Sequence, residues 1–490
     1  MTATTAAVLV LVLLLFFGLL AIRLHVGLSL MSAAFVGVLL LRGTGAATST
    51  VASMPFSTSA SYSLTIIPLF ILMGVFAVRA GLAQAGFDLA SAALKRLPGG
   101  PALASLAGSG MFAAVTGSSV ATVATMARVS TDAIVKAGYG IKLAAGVVCA
   151  GGTLGVLIPP SIVLVLYGVV TEESIGQLLL AGVGPGLLTI AVYAATIVAL
   201  VSRQRRRQAR RHGDGSTPPV DGGPRTSPQP GSQSRREENR AIGGAGSGSG
   251  TAVLSPSSEG QGTAAAAPAT RLDLVGFLYL VVIFAVSIGT IYLGVATPTE
   301  AASFGALAAM VILLLRTRPP AWMRAVGESL SEAVGLTAMT FLLMTGAGVF
   351  TYFLALTGAS TELVGWVLGA DLPPYLALVL CLLLLLPLGM FLDGISMILI
   401  AAPLLHPILV GYGFDGIWLG VLIVKVAEMA LVTPPVGMNA FVYSGAVREA
   451  GLGRVFRGIV PFILADVVVV ALLIAFPDIT TWLPAVSSTQ

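Results

Sequence analysis

The sequence predicts an all-α protein that crosses a membrane many times and is built from two related halves running in opposite directions. Three observations predict this. The chain is 56% hydrophobic and 10% charged, with a mean hydropathy of +0.96, far outside the balance of a soluble globular domain. Apolar runs such as "AAVLVLVLLLFFGLLAI" (6–22) and "LLTIAVYAATIVALV" (187–201) are long enough, with their flanks, to span a bilayer. Short motifs also recur at a near-constant offset: "GVF" at 74 and 348, "GYG" at 138 and 411, "PP" at 159 and 434. One such match is chance; a steady offset of 273–275 residues indicates an internal duplication.

Taken in order, the N-terminal run lacks a basic n-region and a small-residue cleavage site, so it reads as a retained helix rather than a signal peptide. The first half is placed at 1–202, with a hairpin at about 100–130. Residues 203–270 are polar, first Arg-rich and then rich in Gly, Ser and Pro. They cannot bury a core and are expected to form a disordered linker. A basic cluster beside a membrane helix belongs in the cytoplasm; it serves as a topological anchor, with anionic lipid contact as the alternative. The second half occupies 271–490, with a hairpin at about 373–410.

Charge sets direction. With the linker inside, Arg316, Arg318 and Arg324 also fall inside, while Glu362 and Asp371 lie outside and both termini end outside. Arg42 is the exception. Each half then crosses an odd number of times, so the second copy is inverted, a pattern of secondary transporters. The net charge of +5 comes from loop arginines and argues orientation, not nucleic-acid binding.

Both halves interrupt an apolar span at matching places: "GGTLGVLIPPS" (151–161) and "EMALVTPPVGMN" (428–439). Proline removes a backbone donor, and irregular backbone at membrane depth is tolerated only inside protein or beside a water-lined cavity. A single such proline reads as a kink; a matched pair reads as two deliberate breaks, with Thr153, Ser161, Thr433 and Asn439 supplying oxygens. Upstream of each lies a polar tip between apolar arms, Gly117-Ser118-Ser119 and Asp393-Gly394-Ile395-Ser396. Charge places both ends of each unit on one side, so these are expected to be re-entrant hairpins whose tips meet the breaks. Backbone carbonyls, hydroxyls and one carboxylate suit a small hard cation; sodium fits better than a transition metal, which would want histidines or thiolates.

Asp393 is the most informative residue, because an ionisable group within a membrane is costly; its plain alternative is a turn cap held by local amides. Lys425 and Glu428, three apart on one helix, are expected to pair with each other. His406 is expected to be a hydrogen-bonded packing residue, with proton coupling as the alternative, and Arg128 to anchor the inner end of the first hairpin. Cys149 and Cys381 lie in apolar segments and indicate neither disulfide nor metal. The chain offers no nucleophile–base set, phosphate loop or ATP-binding motif, which argues against an enzyme or a primary pump.

"GSSVATVATMARVSTDAIVKAGYG", "GGTLGVLIPPSIVLVLYGVVTEESIGQLLLAGVGPGLL", "GVATPTEAASFGA" and "TPPVGMNAFVYSGAV" resemble the large membrane subunit (M subunit, DctM-like) of the tripartite ATP-independent periplasmic (TRAP) transporters. The resemblance covers both halves and excludes the linker, which is much longer than is usual in the family. It implies an elevator-type transporter in the bacterial inner membrane that imports an organic acid (a dicarboxylate, sugar acid or keto acid) on a sodium gradient. The acid would be delivered by a soluble periplasmic binding protein. A small four-helix membrane subunit is the implied partner, expected as a separate chain. The implied sodium sites are Gly117, Ser118 and Ser119 with Gly152, Thr153 and Pro159, and Asp393, Gly394 and Ser396 with Thr433, Pro434 and Gly437. The acid would rest between the tips, against Ser118, Ser161 and Asn439. No organic cofactor is expected. A stand-alone sodium-coupled dicarboxylate transporter needing no binding protein is the alternative; a passive channel is disfavoured because occluding hairpins suit alternating access.

Overall fold

The computed structural model describes residues 3–213 and 273–487, and among these every regular element is helical. The chain resolves into two units, 1–204 together with 272–490, and 205–271. Of the second unit only 205–213 are described, as the end of a helix; the linker expected at 203–270 otherwise lies outside the described residues.

In the first half, α1 (Ala3–Ala21), α2 (Val26–Ser59), α3 (Ile66–Arg79) and α4 (Leu82–Leu94) lead into α5 (Gly100–Thr116) and α6 (Ser119–Lys136). There follow α7 (Ile141–Gly152), a 3-10 turn (Thr153–Val156), α8 (Ile162–Thr171), α9 (Ile175–Ala181) and α10 (Val183–Gly213). The second half begins with α11 (Leu274–Tyr292), α12 (Pro298–Arg316), α13 (Trp322–Thr357) and α14 (Ala359–Gly369). It continues through α15 (Pro374–Phe391), α16 (Gly394–Gly411), α17 (Gly416–Val432), α18 (Met438–Ala446), α19 (Leu452–Ala475) and α20 (Asp478–Ser487). Among the described residues, nine helical segments are long and apolar enough to cross a membrane.

The N-terminal run does form a helix: α1 packs on α2 and buries Val12 and Phe16. α10 carries the basic run onward to Gly213, so the expected start of the linker at 203 falls inside a helix. Local chemistry sets several ends. Thr297 and Glu300 cap α12 reciprocally: Glu300 N–H donates to Thr297 Oγ1 (3.3 Å) and Thr297 N–H to Glu300 Oε2 (2.8 Å), with Pro298 at the first helical position.

Glycine pairs fix two crossings. α2 meets α13 at Gly27 and Gly346, and α7 meets α19 at Gly146 and Gly458. A Cβ at any of the four would overlap backbone of the facing helix, so only glycine allows the approach. The second crossing holds α19 beside the helix that leads into the first break.

Candidate functional site

Two helix–tip–helix units and two interrupted helices form the site. α5 packs against α6 with Gly117 and Ser118 between them, and α15 against α16 with Leu392 and Asp393 between them. The first arm pair ends at Lys136 rather than near 130; the second spans 374–411. The spans carrying Pro159 and Pro434 are both broken. α7 gives way to the 3-10 turn and non-helical residues before α8, and α17 stops at Val432 before α18 starts at Met438. The Pro159–Pro160 and Pro434–Pro435 bonds are both cis.

The first tip and the first break come together. Gly117 turns the chain at φ 58°, a left-handed conformation suited to glycine, and its N–H donates to Ala113 O (2.9 Å). A Cβ there would stand 2.9 Å from Pro160 O and 3.3 Å from Ile162 N, so the tip backbone lies directly on the break. A Cβ at Gly155 would stand 3.4 Å from Ser118 O, and one at Gly152 3.0 Å from Ser119 O. Ser118 caps α6, accepting from Ala121 N–H at 3.4 Å, and the buried Ser161 caps α8, accepting from Leu164 N–H at 3.2 Å. Thr153 donates to Ala150 O (2.7 Å) and lies 3.2 Å from Tyr193 Oη.

Asn439, from the second half, joins this group. It is the second residue of α18 and fully buried, and its Nδ2 lies 3.6 Å from the position of a Gly152 Cβ. Neither amide atom of its side chain has a hydrogen-bond partner among the described residues. An unsatisfied buried amide costs about 1–3 kcal/mol. Ser118, Ser161 and Asn439 thus gather around the first tip and break.

The second tip is acidic and meets α17. Asp393 occupies the N-cap of α16, but its side chain makes no bond to the helix amides; the carboxylate accepts instead from the Ser396 hydroxyl. The turn-cap alternative for Asp393 is therefore not what the fold adopts. A Cβ at Gly394 would stand 3.1 Å from Glu428 Oε1 and 3.6 Å from Leu431 Cδ1. Thr433 donates to Met429 O (2.6 Å), and Gly437 turns the chain at φ 56° beside Phe456. Tip 2 is thus placed against α17 at Glu428 and Leu431, ahead of Thr433, Pro434 and Gly437.

The expected Lys425–Glu428 pair is overturned. Lys425, fully buried, forms an ion pair with Asp466 of α19, while Glu428 accepts from the Ser119 hydroxyl. Asp466 Oδ1 also accepts from Tyr193 Oη at 2.6 Å, and Lys425 Nζ lies 5.4 Å from the Tyr193 ring centroid. Helix spacing brought Lys425 and Glu428 near one another, but each side chain found a better partner on another element. Asp466 and Tyr193 were missed, although a lone aspartate in "PFILADVVVVALLIA" is itself a signal of buried chemistry. His406 is hydrogen-bonded within the fold: its Nδ1 lies 2.8 Å from Tyr167 Oη and its Nε2 3.6 Å from Glu173. Arg128 is exposed on α6.

Long apolar helices, two of them interrupted beside polar tips, define a transporter-class integral membrane protein. The family model described as "Tripartite ATP-independent periplasmic transporter, DctM component" matches residues 13–479, and the chain belongs to this family of transporter permeases, which are not enzymes. It is 33% identical to the C4-dicarboxylate TRAP transporter large permease protein DctM of Pseudomonas aeruginosa, covering 88% of this chain and 87% of that one. It is 28% identical to the sialic acid large permease SiaM of Vibrio cholerae, over 95% and 96% of the two chains. The isethionate permease DctMQ of Oleidesulfovibrio alaskensis is 30% identical over 89% of this chain and 59% of its own. Among solved structures, the YdaH transporter of Alcanivorax borkumensis shares the fold, with a TM-score of 0.60 at 14% identity over 90% and 91% of the chains.

Proposed function

We propose that this large permease subunit moves an organic acid inward across the bacterial inner membrane on a sodium gradient, with both tip-and-break pairs holding the ions. The observation that carries the reading is the juxtaposition of the tips with interrupted helices, where freed carbonyls, hydroxyls and carboxylates lie inside protein. Sodium asks for oxygen ligands of this kind. Gly117, Ser118 and Ser119 with Gly152, Thr153 and Pro159 form one proposed site. Asp393, Gly394 and Ser396, with Glu428 beside them and Thr433, Pro434 and Gly437 beyond, form the other.

An organic acid fits the relatives, whose names specify C4-dicarboxylates, sialic acid and isethionate. Asn439, with its free amide, and Ser118 and Ser161 are the proposed contacts. The partners in this reading are a periplasmic binding protein and a small membrane subunit; the name DctMQ of one relative suits a fusion of the two membrane parts. Movement by an elevator of the tips and breaks against the remaining helices belongs to the same proposal, as do periplasmic termini and a cytoplasmic linker.

The test is uptake into proteoliposomes containing this chain and the small subunit, with the binding protein outside and a sodium gradient imposed. The reading expects uptake that needs both sodium and the binding protein. Uptake without the binding protein would favour the stand-alone transporter, and uptake unchanged when potassium replaces sodium would overturn the coupling.

A further inference from the structure

Glu428 sits where no part of the proposed cation sites from the sequence required a carboxylate, and it reaches both tips. It is 1% exposed, on α17. Oε2 accepts from the hydroxyl of Ser119, the first residue of α6 behind tip 1. Oε1 stands 3.1 Å from where a Cβ of Gly394 would be, at the first residue of α16 behind tip 2. Both neighbours therefore open 18-residue helices, whose N-terminal ends carry partial positive charge and favour an anionic group. Among the described residues no ammonium forms an ion pair with Glu428; Lys425, one turn earlier, is paired with Asp466. Near the same place lies the unpaired amide of Asn439, which shares the position of Gly152 with the Ser119 carbonyl.

We propose that Glu428 is the fixed negative charge that draws a cation to the seam between the two tips, so that one side chain on α17 serves both halves. The inference rests on the sodium reading above. It differs from a structural tie in what it requires: charge at this position, not merely a hydrogen-bond acceptor. Glutamine keeps an acceptor for Ser119 and removes the charge. Aspartate keeps the charge and shortens the reach.

The experiment uses the full chain in nanodiscs, titrated with sodium chloride against potassium chloride at constant ionic strength, reading the thermal midpoint. The wild-type protein is expected to show a saturable stabilisation by sodium. Glu428→Gln should raise the half-saturating sodium concentration tenfold or more, the scale of removing one charge about 6 Å from an ion in a partly buried setting. Glu428→Asp should stay within about threefold of wild type. Should Glu428→Gln fail to fold, Glu428→Asp decides alone: a half-saturation within threefold, despite the lost reach to Ser119, supports the charge, and a tenfold shift overturns it. A wild-type sodium response that Glu428→Gln leaves at the same midpoint overturns the role of Glu428 and leaves sodium coupling standing. Absence of any sodium response in the wild-type protein overturns both.

Discussion

Apart from the Glu428 carboxylate that accepts from Ser119, the first tip and break are built from hydroxyls and carbonyls: Ser118 and Ser161 cap helices, Thr153 is held by Ala150 and Tyr193, and Gly117 lies on Pro160. The second tip is built around carboxylates, with Asp393 bonded to Ser396 and Glu428 alongside Gly394. The two regions follow one plan with different chemistry. At the first, the backbone conformation has to be exact and is braced by a buried network reaching Lys425 and Asp466. At the second, the Asp393 carboxylate is held by Ser396 alone among the described residues, and Glu428 stands beside the tip backbone. The asymmetry predicts that the first region will be sensitive to shape and the second to charge.

The brace gives the largest expected effect. Asp466→Ala leaves the Lys425 ammonium buried without a partner, and about 3–5 kcal/mol of stability should be lost. Size-exclusion profiles in detergent should show little folded protein. Replacing both members, Lys425→Leu with Asp466→Leu, should recover much of the fold. Full stability in Asp466→Ala would mean that the network does not brace the first break.

Next comes the contrast between the tips. Asp393→Asn should raise the half-saturating sodium concentration of uptake roughly tenfold while the protein still folds, since it removes charge and keeps a partner for Ser396. Ser118→Ala removes one oxygen and should shift it only a few-fold. Equal, wild-type sodium dependence in both would remove these residues from the sites. Gly117→Ala should behave in the opposite sense, costing about 1–3 kcal/mol through its left-handed backbone and the nearby Pro160 carbonyl. The same change at Gly394, where φ is not positive and the neighbour is a side-chain oxygen, should cost less stability.

The smallest effect lies outside this comparison and calibrates it. Asp273 caps α11 and pairs with Arg316, and these contacts hold its carboxyl below the usual carboxylate range, Arg316 most of all. A depressed folded-state value contributes stability above the unfolded value of about 3.9 and loses it as pH falls through the folded one. Because the pair is a third exposed, Asp273→Asn should cost less than about 1 kcal/mol, and salt should erase most of the difference.

Much of this site was legible in the sequence, because its signals are local. Proline pairs break helices wherever they stand, and a polar tip between apolar arms is visible in a window of 20 residues. What pairs with what was not legible. Ser119 finds Glu428 across 309 residues and Tyr193 finds Asp466 across 273, while the closely spaced Lys425 and Glu428 turn to other elements. Periodicity reports which face a residue occupies, and only the packing of distant helices decides its partner. Asn439 was read as a site residue at the second break; that its side chain also meets the first follows from α18 packing on α6 and α7.

The central claim is that the two tips enter the membrane from opposite sides and meet at one seam. Side-specific cysteine labelling tests it most directly, with single cysteines at Lys95 and Asp371, near the bases of the two hairpins, in a background lacking Cys149 and Cys381. The account predicts that Lys95→Cys reacts only from the cytoplasm and Asp371→Cys only from the periplasm. Labelling of both from the same side would contradict it.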